Sequence, residues 1–103
     1  MSTENNIETL VEQLSSQAGV QGFVIVNQEG IPIRHSFHEN SRLLAVHYAA
    51  LLQQLAQKAR GVVKSLSSSD DLVFLRVRSK KHEILVAPHE HYLLIVIQVP
   101  ETQ

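Results

Sequence analysis

At 103 residues, 44% of them hydrophobic and with a formal net charge of −1, the chain has the size and composition of one globular domain. The balanced charge argues against a sequence-wide pull toward nucleic acid or anionic membrane. There is no cysteine, which excludes disulfides and thiol chemistry, and the longest apolar runs, Phe23–Val26 and Leu93–Ile97, are too short to cross a bilayer.

Taken in order, Thr3–Ala18 carries Ile7, Leu10, Val11 and Leu14 at helical spacing, with Ala18 completing the stripe. Glu4, Glu8 and Glu12 lie on another face and suit the helix dipole. Gly19 is placed to cap the end. Val20–Asn27 holds Phe23-Val24-Ile25-Val26, apolar on both faces, which predicts a strand inside a sheet. Asn27-Gln-Glu-Gly30 predicts a hairpin loop with Gly30 at positive φ. Ile31–Phe37 returns as a second strand, and Pro32 suits it to an edge.

Glu39–Ser41 starts the next helix, with Asn40 or Ser41 as N-cap. From there Leu44, Tyr48, Leu51, Leu52, Leu55, Ala59, Val62 and Leu66 hold helical register. Gly61 is a place for loosening or a kink. Such a helix is roughly 36 Å long, whereas five strands make a sheet only roughly 20–24 Å wide. An apolar helix that overhangs its sheet needs something else to bury it.

Ser67–Asp71 reads as a polar loop, followed by the third strand, Asp71-Leu-Val-Phe-Leu-Arg-Val-Arg-Ser79. Val73, Leu75 and Val77 give it one apolar face; Leu72, Phe74, Arg76 and Arg78 give it a face that turns cationic. Glu83–Ala87 is a fourth strand, Pro88–His91 a turn, and Tyr92–Val99 a fifth strand apolar on both sides. The result is an α+β domain with one five-stranded antiparallel sheet. Two-sided apolarity puts the first and last strands at the centre, giving the order 2-1-5-4-3 with helices on both faces. One domain over residues 1–103 is expected, with loose ends at about 1–4 and 100–103. The third strand becomes an open border, which proteins must cover, blunt or use. Pairing with its own copy is the use expected here. The shorter first helix cannot cover its whole face, so a groove beside it is expected to receive a partner segment.

The sequence resembles the roadblock-type dynein light chains. The resemblance is carried by Gly19–Arg34 with its Glu29-Gly-Ile-Pro32 hairpin, by Ala56–Val63, by Asp71–Pro88 with Arg76-Val-Arg-Ser-Lys-Lys81, and by Tyr92–Gln98. It implies a homodimer with a continuous ten-stranded sheet and packed long helices, binding the dynein intermediate chain. The site residues that follow are Tyr48, Leu51, Leu52, Leu55, Leu72, Phe74, Leu75, Arg76, Val77 and Arg78 for the dimer interface. Ile7, Leu10, Val11 and Leu14 are expected to form the partner groove. The implied role is motor assembly, cargo linkage and microtubule-based transport, in the cytoplasm or an axoneme. The alternative is a roadblock-like scaffold or regulator of small GTPases, because the same fold serves there.

Other chemistry finds little footing. His82, Glu83, His89, Glu90 and His91 sit at turns without an evident supporting shell for a metal. No nucleophile elbow or phosphate-cradling glycine loop is present, so a non-enzyme without cofactors is expected. Few aromatics accompany the basic run, which argues against nucleic acid.

Overall fold

A computed structural model describes the backbone of residues 3–100 and the side chains from Ile7 onward. The expected loose ends therefore lie mostly outside the described residues. The element order is α1 (Thr3–Ser16), β1 (Val20–Val26), β2 (Pro32–His35), a 3-10 turn at Glu39–Ser41, α2 (Arg42–Leu66), β3 (Leu75–Arg78), β4 (Glu83–His89) and β5 (Tyr92–Gln98). All pairings are antiparallel, and the strand order is 2-1-5-4-3, as the apolar patterning predicts.

The core forms two layers, one on each side of the sheet. Val24, Val26, Val86, Ile95 and Ile97 meet Ala45, Ala49, Leu52 and Ala56 of α2. Phe23 and Ile25 meet Ile7 of α1, with Leu10, Val11, Leu14, Ile33, Tyr92 and Leu94 packed around them. The alternation along β1 sends successive side chains to opposite helices, which is why that strand must be apolar on both faces.

Several local expectations shift. Helix α1 stops at Ser16, so Ala18 is exposed and does not complete its stripe. Gly19 still takes a positive φ of 87°, in the turn that follows. Gly30 has φ 85°, as the hairpin predicts, and the Asn27 side chain accepts from the amides of Glu29 and Ile31, both at 3.0 Å. Ser41 is the N-cap of α2, but its side chain makes no capping hydrogen bond. The helix runs unbroken through Gly61.

Strand β4 extends through Pro88 and His89, and the turn tightens to Glu90-His91, with Glu90 at φ 55°. Strand β3 is shorter than expected. Its register sets Leu75 against Val86, so two residues further back Val73 would face Pro88, which has no amide to donate. The aspartates complete the stop: Asp70 Oδ1 accepts from the Asp71 amide and Asp71 Oδ1 from the Leu72 amide, both at 2.8 Å.

In β2, a register shift opposite Ile25 and Val26 breaks the alternation. Ile33 packs on the α1 side, while His35 pairs with Val24 and stands near the Phe37 ring at 6.2 Å. His35 and Ile33 therefore do not share a face, contrary to a simple period of two.

Candidate functional site

Helix α2 explains most of the surface. Its inward face is Ala45, Ala49, Leu52 and Ala56 at spacings of three and four, and the three alanines let the helix lie close on β1, β2 and β5. It does not cover the sheet fully, because the β3–β4 margin lies beyond it. Leu75 and Ile84 there are only partly buried against the core. The larger apolar residues point away: Leu44, Leu51, Leu55, Val62 and Leu66 are all exposed, Leu51 by 52%. Leu44–Leu51 and Leu55–Val62 are each seven residues apart, the repeat of a helix that packs on another helix. Tyr48 belongs to neither class cleanly, since it is half-buried and stacks on Phe37 with centroids 5.8 Å apart.

The second part of the site is the border at β3. It pairs with β4 on one side only. Leu75 and Val77 face the α2 side, and just before them Val73 and Phe74 are 76% and 55% exposed. Apolar residues exposed in one continuous region, rather than scattered singly, mark an interaction surface.

On the opposite side of the sheet the border is cationic. A row of neighbouring residues runs Phe23, Val96, Leu85, Arg76 across four strands. Phe23 is buried under α1, Val96 and Leu85 are half-buried, and Arg76 is exposed. Arg76 Nε lies 3.9 Å from Glu83 Oε2, and Gln98 Nε2 donates to Glu83 Oε1 at 2.7 Å. Arg78, Lys80 and Lys81 have no partner among the described residues. A shallow cleft of about 400 Å³ opens here between the end of α1 and the border, lined by Ala18, Gly19, Arg76, Arg78, Gln98 and Val99 among others.

A bidentate pair ties the two parts together. Arg60 donates from Nε and Nη2 to the Asp71 carboxylate at 2.8 and 2.9 Å, and Lys64 donates to the Asp70 carbonyl at 3.0 Å. The Leu72 amide, first, and then the Arg60 guanidinium hold the Asp71 carboxyl below the usual carboxylate range.

Of the expected interface residues, Leu51, Leu55 and Phe74 are exposed and Arg76 and Arg78 line the cationic side. Leu75 and Val77 are half-buried at the border, and Leu72 is half-buried beside a cleft under α2. Leu52 is only 8% exposed and belongs to the molecule's own core, because it lies on the alanine face of α2. Leu44, Val62 and Val73, outside the expected interface set, are exposed as well, and heptad spacing or strand alternation is the sequence signal that marks them. Ile7, expected in the partner groove, is buried against Phe23 and Ile25, and Leu10, Val11 and Leu14 pack partly around it. They form the wall of the uncovered sheet face rather than its floor, which Leu85 and Val96 supply. Among the described residues no three histidine or carboxylate side chains are grouped to hold a metal ion.

The family model for the Roadblock/LC7 domain matches residues 6–99. Among solved structures, a Roadblock/LC7 domain from Streptomyces avermitilis is 17% identical, with a TM-score of 0.75 over 90% of this chain and 77% of that one. Myxococcus xanthus MglB is 16% identical, with a TM-score of 0.75 over 99% of this chain and 82% of that one. The gliding protein MglB from Thermus thermophilus is also 16% identical, with a TM-score of 0.69 over 93% and 72%. At these identities the likeness is one of fold.

Proposed function

The chain belongs to the Roadblock/LC7 domain family, and on that footing we propose that it is a non-catalytic adaptor that works as a homodimer. The observation that carries this reading is one unpaired border strand together with one exposed apolar helix face, linked by the Arg60–Asp71 pair. A twofold axis at the border would pair β3 with β3 antiparallel, extend the sheet to ten strands and bring the outer stripes of α2 together. Leu44, Leu51, Leu55, Val62, Val73 and Phe74 would then leave water in one step. An interface of that kind resembles a core cut in half. One of the solved MglB structures has a tetrameric arrangement, which supports self-association as a habit of this fold.

The finer reading is a dynein light chain that binds the intermediate chain. It rests on the resemblance of Glu29-Gly-Ile-Pro32 and Phe74–Lys81 to that family. A segment of the intermediate chain would lie on Leu85 and Val96, between α1 and the Arg76–Arg78 border. A dimer offers two such faces, so two tethered segments raise each other's effective concentration. The working place would be the cytoplasm and its microtubules, or an axoneme.

A second reading, a scaffold or regulator of small GTPases, is favoured by the solved relatives. The three named above are bacterial roadblock proteins, one of them a gliding protein, and none is named for dynein. The comparisons thus lean toward this alternative, whereas the residue pattern leans toward dynein. Pull-downs with dynein intermediate-chain fragments and with a panel of small GTPases separate the two. Capture of the intermediate chain alone supports the first, and capture of a GTPase alone supports the second. Failure of both, from a sample that light scattering shows to be dimeric, removes both finer readings and leaves the dimer standing.

A further inference from the structure

The turn between α2 and β3 holds three serines followed by two aspartates, Ser67-Ser-Ser-Asp-Asp71, all exposed. Ser67 closes the helix, its amide donating to the Val63 carbonyl at 3.0 Å, and its own carbonyl accepts from the Asp70 amide at 3.0 Å. The hydroxyls of Ser67 and Ser69 lie 3.4 Å apart. Ser68, at the tip of the turn, has a hydroxyl with no partner among the described residues. Two carboxylates follow it at the second and third positions, and two cations stand at the base of the turn, with Arg60 on Asp71 and Lys64 on the Asp70 carbonyl.

We propose that Ser68 is a phosphorylation site for an acid-directed protein kinase, and that the phosphate draws Arg60 and Lys64 away from Asp71 and Asp70. A kinase with a basic substrate cleft reads carboxylates that follow its acceptor, and an exposed turn can enter such a cleft where a helix or ladder residue cannot. Ser68 Oγ attacks the γ-phosphorus of a nucleoside triphosphate. The Oγ–P bond forms, the bond to the β–γ bridging oxygen breaks, and the nucleoside diphosphate leaves with the electron pair. The hydroxyl proton passes to the base of the kinase.

The product carries about −1.5 to −2 charge at neutral pH, together with strong acceptor oxygens. It stands just past the C-terminal end of α2, where the helix dipole and two aspartates disfavour more negative charge. The nearby cations relieve that repulsion only by turning from the aspartates to the phosphate. Since Arg60–Asp71 joins α2 to the segment that leads into β3, the switch acts on the approach to the open border. The site itself does not depend on the dimer reading.

The test incubates the purified chain with an acid-directed kinase and magnesium ATP, maps the product by fragmentation mass spectrometry, and follows the Arg60 Nε–H resonance by NMR. The expected result is phosphate on Ser68, lost in Ser68→Ala, kept in Ser67→Ala and Ser69→Ala, and incorporated more slowly in Asp70→Asn. The Arg60 resonance should move on phosphorylation of the native chain and stay fixed in kinase-treated Ser68→Ala. Circular dichroism establishes that each variant is folded. Incorporation that survives Ser68→Ala, or no incorporation in the turn, overturns the site. An Arg60 resonance unmoved at full Ser68 phosphorylation overturns the switch.

Discussion

Pro32 stands in one border strand of the sheet, β2, while the other border strand, β3, has no proline and no register irregularity. At β2 the proline removes an amide, the register shift bends the strand, and Arg34 bridges to Glu8 of α1 at 3.0 Å. Those are devices that blunt an edge. At β3 the backbone is regular, apolar residues approach it, and basic side chains line one side only. The contrast teaches that the open border is a local choice of sequence rather than a general weakness of the sheet. The chain closes one side with its own residues and leaves the other unpaired.

The most direct way to break this contrast is Arg76→Pro, because strand alternation from the Ser79–His82 bond turns the Arg76 amide to the open side, and β3 then carries a proline as β2 does. A proline in a regular strand costs about 3 kcal/mol or more by analogy with helix interiors. Sedimentation at micromolar concentration should find monomer, with circular dichroism still showing a folded chain. The reciprocal change, Pro32→Val, sharpens the point. It returns an amide to β2, yet the bulge and the Arg34–Glu8 bridge remain, so sedimentation should be unchanged. A new, larger species would mean that the proline alone guards that border.

Next in size is the outer stripe of α2. Leu51→Glu or Leu55→Glu should weaken self-association by about 1.5–3 kcal/mol, the scale of burying one leucine. Urea unfolding of the isolated monomer should shift by no more than about 0.5 kcal/mol, as expected for surface positions. Equal losses in both measurements would mean that the stripe belongs to the monomer's own core.

A smaller effect is expected at the β1–β2 hairpin. Gly30→Ala places a Cβ at positive φ, costing about 1–2 kcal/mol in thermal or urea unfolding. The new atom would also meet the Gln53 carboxamide, so that side chain must turn away from the Gln28 carbonyl, to which it donates. Self-association should be unaffected, because this hairpin lies on the closed side.

The smallest effect concerns Asp71. Its folded pKa lies below the ordinary value, so its contribution to stability is present above the ordinary aspartate range. That contribution fades as the pH falls through the depressed folded pKa. The group is exposed and the contribution is slight. A carboxyl NMR titration should show the pKa rising toward normal in Arg60→Gln, while retaining some depression from the Leu72 amide. No change in that variant would mean that the guanidinium has no hold on the carboxylate.

The fold was legible because the strongest signals were periodic. Phe23–Val26 and Leu93–Ile97 could only be central strands, and Pro32 could only sit comfortably at an edge, which together dictate the strand order. The site was legible in part. The alternation in Leu72–Arg78 located the open border, yet it could not show that pairing stops at Leu75, because the obstacle is Pro88 in another strand. On α2 the leucines and the alanines were both visible. Hydrophobicity alone cannot tell which of them face the sheet, and the structure gives that place mostly to alanines, since close approach of helix to sheet favours small side chains. Leu52, expected at the interface with Leu51 and Leu55, is the one of the three that falls on the alanine face and enters the core.

By itself the sequence determined which segments are helix and strand, which strands lie inside, and that one helix carries more apolar surface than a single sheet can cover. These follow from the spacing of residues along one chain. Only the tertiary structure decided which stripe of that helix faces inward, where the third strand begins and which cations stand beside the serine turn. Those depend on distances between segments far apart in sequence, where packing volume and the lack of one amide outweigh local preference.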